Sequence, residues 1–278
     1  MQTQEPIQLL CQTLAVSRAG YYAHRHKPER PRQQADQKLL PIIQQEFAAS
    51  RKSYGSPRLQ IALQRLGHTC GKNRVARLMR QTGLRARQKR RFHPRTTQSN
   101  HGLAIAENWL AKVPAPARPN QVWVSDITYL PTQEGWLYLA MTLDACSRKV
   151  VGWWTDDTLE TFMVTEALKQ ARQRRGPVPG LLHHSDRGVQ YASSACRALL
   201  ASCQITPSMS RKGNCYDNAM AESFFATLKT EAFEDGIPAT KAQAKQQVFA
   251  YIEGFYNTRR FHSALDYQSP VDFENQFS

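Results

Sequence analysis

Three acidic residues in the C-terminal half stand where their chemistry is hard to ignore. Asp126 interrupts an apolar run, Val122-Trp123-Val124-Ser125-Asp126-Ile127-Thr128-Tyr129, and Asp186 closes a second, Leu181-Leu182-His183-His184-Ser185. Glu222 opens a helical pattern in which Met220, Phe224 and Leu228 recur at i, i+4 and i+8, while Glu222, Ala226 and Lys229 share another face. Hard oxygen ligands of this kind bind Mg²⁺ and leave water positions open to substrate phosphates. Two such ions, about 3.5–4 Å apart, activate an attacking hydroxyl and stabilise the leaving oxygen of an in-line displacement. Lys229, about 10 Å along the helix from Glu222, is placed to hold a DNA strand whose phosphate sits at the acid. Taken singly, each acid also reads as a surface charge or a cap. Asp126 resists that reading, because it lies inside an apolar strand.

The elements that must position these acids read as an α/β arrangement. Val122–Tyr129, Trp136–Leu143 and Lys149–Trp154 are predicted strands joined by tight connections, an antiparallel meander. Glu160–Arg175 is a predicted amphipathic helix, with Phe162, Val164, Ala167, Leu168 and Ala171 as its apolar positions. A fourth strand, Leu181–Asp186, a helix, Ser193–Ser202, and a fifth strand, Ile205–Met209, follow. The β-β-β-α-β-α-β order specifies a mixed five-stranded sheet with flanking helices.

The charge is divided unevenly along the chain. Of 37 Lys and Arg and 22 Asp and Glu, residues 1–118 hold 22 and 5, so the whole net charge of +15 and more lies there. A field that one-sided attracts a polyanion, and DNA is the expected partner. The basic region also carries folding signals. Ser56-Pro57-Arg58 opens a helix with Leu59, Leu63 and Leu66 inward and Gly67 as its end. Asn73 opens a second, with Val75, Leu78 and Met79 inward and Gly83 as terminator. Two short helices across a brief turn form a helix-turn-helix candidate, preceded by further small helical segments. Arg74, Arg77 and Arg80 lie off the apolar stripe of the second helix, as a helix pressed to DNA requires. Arg85, Arg87, Lys89, Arg90 and Arg91 continue into a basic linker expected to track phosphates. The division reads as a helical segment over 1–50, a helix-turn-helix-like region over 51–92, a Pro-containing linker over 93–119 and a catalytic domain over 120–278.

Other candidates carry less. His183 and His184 alternate across a strand, which disfavours a shared ligand role and leaves His184 as the one that could approach the acids. Asp144, near the end of the second strand, reads as an auxiliary acid or, in preference, as a turn cap, and Asp217 or Asn218 as the cap of the Glu222 helix. Asn214 and Tyr216, in the loop before Glu222, suit stacking or hydrogen bonding to a DNA end. Arg259 and Arg260, with Tyr256, Asn257 and His262, form an aromatic and basic mixture suited to DNA or to packing. Six cysteines without regular spacing read as reduced thiols, not as a zinc site or disulfide framework. No apolar run reaches the roughly 18–20 residues of a membrane span, and a polar start without a basic n-region argues against a signal peptide. With 41% hydrophobic residues the chain can build cores, which excludes a wholly disordered polybasic tail.

Several longer motifs resemble one family. Thirty-five residues separate Asp186 from Glu222, and Lys229 follows Glu222 by seven, similar to the D,D-35-E signature of retroviral-type integrases and bacterial insertion-sequence transposases. Trp123–Tyr129, His184-Ser185-Asp186-Arg187-Gly188, Asp217–Phe225 and Tyr256-Asn257-Thr258-Arg259-Arg260 resemble the IS-three family specifically. The resemblance implies an RNase H-like fold, a triad of Asp126, Asp186 and Glu222, and two Mg²⁺ or Mn²⁺ ions. It implies cleavage at element ends and transfer of the 3′-OH to a target phosphodiester in double-stranded DNA. It further implies the downstream orfB product, with an orfA product or orfA–orfB fusion as partner. A homo-oligomer on DNA and a bacterial cytoplasmic, nucleoid-associated location complete the expectation. The absence of a sustained heptad repeat fits an orfB product. A nuclease on the same fold and a DNA-binding regulator are the alternatives.

Overall fold

The computed structural model describes residues 7–25, 31–87, 102–176, 179–211, 218–233 and 236–277. Its centre is a five-stranded sheet in the order β3-β2-β1-β4-β5. β1 (Val122–Thr132) and β2 (Gly135–Asp144) pair antiparallel through a turn closed at Thr132↔Gly135, where Gly135 takes φ +103°. A glycine accommodates that left-handed backbone without Cβ strain. β3 (Val150–Asp156) pairs antiparallel with β2. The connection between them is organised by Asp144, buried and fully engaged. Its Oδ1 accepts from the backbone nitrogens of Cys146 (3.0 Å) and Ser147 (2.9 Å), and its Oδ2 from Asn120 (2.6 Å). Asp144 is therefore a turn anchor.

From β3 the chain crosses over through α6 (Thr161–Arg175) to β4 (Leu182–Ser185), which runs parallel to β1. A second crossover through α7 (Val189–Ala192) and α8 (Ser194–Ser202) reaches β5 (Thr206–Met209), parallel to β4. Parallel pairing demands such crossovers, and their helices cover one face of the sheet. That face packs Trp123, Ala140 and Val151 against Met163, Val164, Ala167 and Leu200. The approach of α6 is close: a Cβ on Gly152 would lie 2.0 Å from the Ala167 carbonyl oxygen. The opposite face, carrying Val122, Val124 and Leu143, meets α9 (Ala219–Glu231) and α10 (Lys241–Tyr251), which continues as a π-helical turn, Ile252–Tyr256.

Upstream of the sheet, α1 (Ile7–Thr13) and α2 (Arg18–Arg25) pack on each other. α3 (Pro31–Ala49) runs through Pro41 and buries Leu39, Ile43 and Phe47 at i, i+4 and i+8 against α4 (Ser56–Arg65) and α5 (Lys72–Gln81). The unit is thus three helices, crossing the division at residue 50. Its helix starts differ from expectation. Gly55, not Ser56, caps α4, and Gly71, not Asn73, caps α5; neither Gly has a side chain to cap with. The two polar residues lie inside the first turns.

The helical unit and the sheet share one continuous core. Tyr54 is the pin of the seam: its hydroxyl donates to the Arg259 carbonyl (3.1 Å) and accepts from the Phe261 nitrogen (2.8 Å). Burial pushes its pKa up to about 12, so the donor persists at neutral pH. Arg65 stacks over Phe261 at 4.3 Å beside it. Among the described residues, no helix is long and apolar enough to cross a membrane.

Candidate active site

Strand parity and register bring the acids together. Asp126 shares the parity of Val122 and Val124, hence the face on which α9 packs. β1 and β4 pair as Val122↔Leu182 and Val124↔His184. Two residues further in the same register, Asp126 on β1 comes level with Asp186, just past the end of β4. The Gly188 backbone nitrogen donates to Asp186 Oδ1 at 2.9 Å, turning the chain tightly after the acid. Glu222 reaches the same place from the first turn of α9 and is exposed there.

The electrostatics record the convergence. Loss of hydration pushes the Asp126 carboxyl well above the ordinary carboxylate range, and the negative charges of Asp186 and then Glu222 push it further. The Ile127 backbone nitrogen, donating to Oδ1 at 2.8 Å, and the Asn218 carboxamide oppose that rise. Tyr191, buried nearby, is likewise held in its neutral phenol form, first by burial and then by Asp126 and Asp186. A cleft beside the acids is lined by Asp126, Asp186, Tyr129, Tyr138, Leu159 and Gln190, among others. Like charges crowded in poorly hydrated surroundings, with a buried amide oxygen of Asn218 lacking a partner, suit a hydrated divalent cation. The donors are all oxygen, as Mg²⁺ prefers. Among the described residues, no group of three or more His, Cys, Asp or Glu side chains is placed to hold a metal ion; Asp126 and Asp186 line the cleft, and Glu222 is exposed.

Comparison with known proteins gives the site its setting. A family model described as an HTH-like domain matches residues 34–92, and two described as integrase core domain match residues 116–215 and 203–270. The chain is 42% identical to the insertion element IS600 uncharacterized 31 kDa protein of Shigella sonnei, over 96% of this chain and 98% of that one. It is 41% identical to the transposase for insertion sequence element IS904 of Lactococcus lactis subsp. lactis (strain IL1403), over 87% and 96%. It is 39% identical to the transposase InsF for insertion sequence IS3A of Escherichia coli (strain K12), over 99% and 96%. The chain belongs to the IS3 family of insertion-sequence transposases.

In this transposase the other sequence-derived candidates fall into distinct groups. Lys229, the expected holder of a DNA strand near Glu222, lies partly inside the fold. It is half-buried, its ammonium 4.9 Å from the centre of the Tyr129 ring and close enough to Asp126 to feel its charge. Arg260 is corrected outright as a DNA contact: it is 5% exposed and bound through Nε and Nη2 to the two carboxylate oxygens of Glu231, both at 2.8 Å. Its neighbour Arg259 is exposed. Arg74 and Arg77 are also spoken for within the fold. Asp36 of α3 accepts from Arg74 Nε at 2.7 Å and Arg77 Nη2 at 2.5 Å, and its carboxyl is held below the usual range chiefly by the Arg77 hydrogen bond. Arg80 and Arg85 are exposed. Arg87 crosses the seam, its backbone nitrogen on the Lys52 carbonyl (3.1 Å) and its guanidinium toward the Thr230 carbonyl at the end of α9 (3.5 Å). Lys89, Arg90, Arg91, Asn214 and Tyr216 lie outside the described residues.

His183 and His184 serve the scaffold. His183 Nε2 bonds Ser125 Oγ (2.8 Å), which bonds Thr142 Oγ1 (2.8 Å), a polar thread across three strands; His184 Nδ1 bonds Ser208 Oγ at 2.9 Å. Asn257 pins the start of β3, accepting from the Val150 nitrogen (2.9 Å) and donating to its carbonyl (3.0 Å). Sequence reasoning missed Tyr191 and assigned Asn218 a capping role. The available signal for Asn218 was its position four residues before Glu222.

Proposed function

We propose that this chain performs divalent-metal-dependent strand cleavage and strand transfer at insertion-sequence ends, with Asp126, Asp186 and Glu222 as the metal-binding triad. The observation that carries the reading is the placement of Asp126 on β1 level with Asp186 just past the end of the parallel β4, with the charge of Glu222 acting on Asp126 from α9. Two Mg²⁺ or Mn²⁺ ions, when bound, supply the Lewis acidity that activates a hydroxyl and stabilises the leaving oxygen. The chain's own part is to hold Asp126 within β1, Asp186 just past the end of β4 and Glu222 in the first turn of α9. Lys229, half-buried beside Asp126, is positioned to meet a phosphate that approaches the acids. Arg80, Arg85, Lys89, Arg90, Arg91, Arg259, Asn214 and Tyr216 are the proposed DNA contacts; Arg74, Arg77 and Arg87 support the surface that presents them.

The expected partners are element ends and target DNA, an orfA product or fusion, and further copies of the chain, since two ends must be processed together. The expected location is the bacterial nucleoid. The test is incubation of the purified full-length chain with labelled end-containing duplex, target DNA and Mg²⁺. The expected outcome is a joined end–target product, abolished by Asp126→Ala. Cutting without joining marks a nuclease, and neither product marks a regulator; retention of strand transfer by the variant overturns the triad.

A further inference from the structure

Asn218 has chemistry that the triad leaves unexplained. It stands at the head of α9, where an Asn ordinarily accepts from a backbone N–H of the first turn. Its side chain makes no such capping bond. The residue is nonetheless 7% exposed. Its carboxamide lies beside the Asp126 carboxylate and favours the charged form. A carboxylate only accepts, so the group turned to Asp126 is the NH₂. The carbonyl oxygen Oδ1 is then buried without a hydrogen-bond partner.

Native interiors seldom leave such an oxygen unused, and Asn257, equally buried, uses both ends of its amide on Val150. Asn218 stands at the N-cap of α9, four residues before Glu222, and Asp126 feels both the Asn218 carboxamide and the Glu222 charge. A partner for the orphan oxygen beside these acids must donate a hydrogen bond to a neutral oxygen and be drawn by negative charge. Water held by a divalent cation meets both demands: Mg²⁺ keeps several of its waters when bound by carboxylates, and the ion polarises their protons.

We propose that Asn218 is a positioning residue of the catalytic centre, its Nδ2 fixing the Asp126 carboxylate and its Oδ1 accepting from a water of the cation that Asp126 binds. This rests on the metal-dependent reading above and extends it to an outer-sphere contact. The test is Mn²⁺ binding to the full-length chain without DNA, followed by the electron paramagnetic resonance signal of the free ion. Asn218→Leu, which keeps the volume and removes donor and acceptor, is expected to weaken Mn²⁺ binding about 10–100-fold. Asn218→Asp, which retains an acceptor and adds charge, is expected to bind within about threefold of the parent or more tightly. With end-containing DNA, Asn218→Leu lowers kcat while KM for DNA holds, a split that general loosening of the fold does not produce. Should the Leu variant fail to fold, Asn218→Ala carries the same expectation at about tenfold. Parental Mn²⁺ affinity in folded Asn218→Leu or Asn218→Ala overturns the inference alone. A parent chain that binds no Mn²⁺, or binds it unaltered after Asp126→Asn, overturns the metal reading and this inference together.

Discussion

The two ends of α9 handle charge in opposite ways. At the C-terminal end, Glu231 receives both nitrogens of a bidentate Arg260, each at 2.8 Å, and the Tyr251 hydroxyl at 2.9 Å, all within the core. At the N-terminal end, Glu222 is exposed beside two more acids, and the nearby cation, Lys229, is half-buried over a tyrosine ring. One end is matched and closed; the other is a conflict left open. A helix that must present an acid to like charges needs an anchor away from them, and the matched end supplies it. Such an ion pair need not add net stability over an apolar pair, but losing one partner leaves a buried charge alone.

The comparison can be broken from its strong side first. Arg260→Ala strands Glu231 and should cost about 3–5 kcal/mol of unfolding free energy by urea denaturation; a loss below about 1 kcal/mol would mean that this end anchors nothing. Next comes acid. Two neutral histidines are buried in the fold: His183 in β4, its pKa lowered by burial and His184 to about 3, and His262 near Arg260, lowered by burial and neighbouring arginines to about 2. The unfolded chain takes up these protons first, near the ordinary value of 6.5. Stability is therefore complete above that pH and falls as pH drops toward the folded values. Between pH 7 and pH 5 each histidine should cost about 2 kcal/mol, and His183→Gln should flatten the pH dependence of Tm.

Asp126→Asn probes the open end. The folded-state pKa is raised, so ionisation of Asp126 destabilises the fold as pH rises through it, and the amide removes that cost. In chelator at neutral pH its Tm should exceed the parent's by about 2–4 °C, and Mn²⁺ should erase the difference by stabilising only the parent. A lower Tm in chelator would show that the acids are not in conflict. The smallest effect concerns the helical unit, where Asp36→Asn should cost about 1 kcal/mol or less. If Arg74 and Arg77 serve the fold, the salt dependence of DNA affinity stays as it was; a slope steeper by about two would show them moving to phosphates.

These contrasts also mark what could be read in advance. Short runs of β-branched, aromatic and apolar residues between turn signals located all five strands to within a few residues. Within the helical segment expected over 1–50, α3 was not singled out as an element: it runs through Pro41, a residue that ordinarily breaks a helix, while Leu39, Ile43 and Phe47 keep the helical spacing. Its Asp36 then claims the two arginines that seemed free. Arg259 and Arg260 look alike as letters; only the π-helical turn before them sends one outward and the other into the core. Asn218 looked like a cap because Asn usually is one at that position. The residue types suggested what the three acids could do together, but their assignment as one triad came from the resemblance. Parallel pairing joins residues sixty apart in the chain, and nothing local announces it.

That pairing has a consequence for how the protein can vary. Where Val122 meets Leu182 and Val124 meets His184, the gap between Asp126 and Asp186 is set by backbone hydrogen bonds, not by the length of chain between them. Insertions at the surface turns near Gln133-Glu134 or after Asp156 lengthen the thread without moving its fixed points. A single-residue slip of β4 against β1 does the reverse: nothing is added or lost, yet every side chain of that strand changes face. Evolution can therefore ornament this sheet freely around its rim while its tolerance for shear is nil.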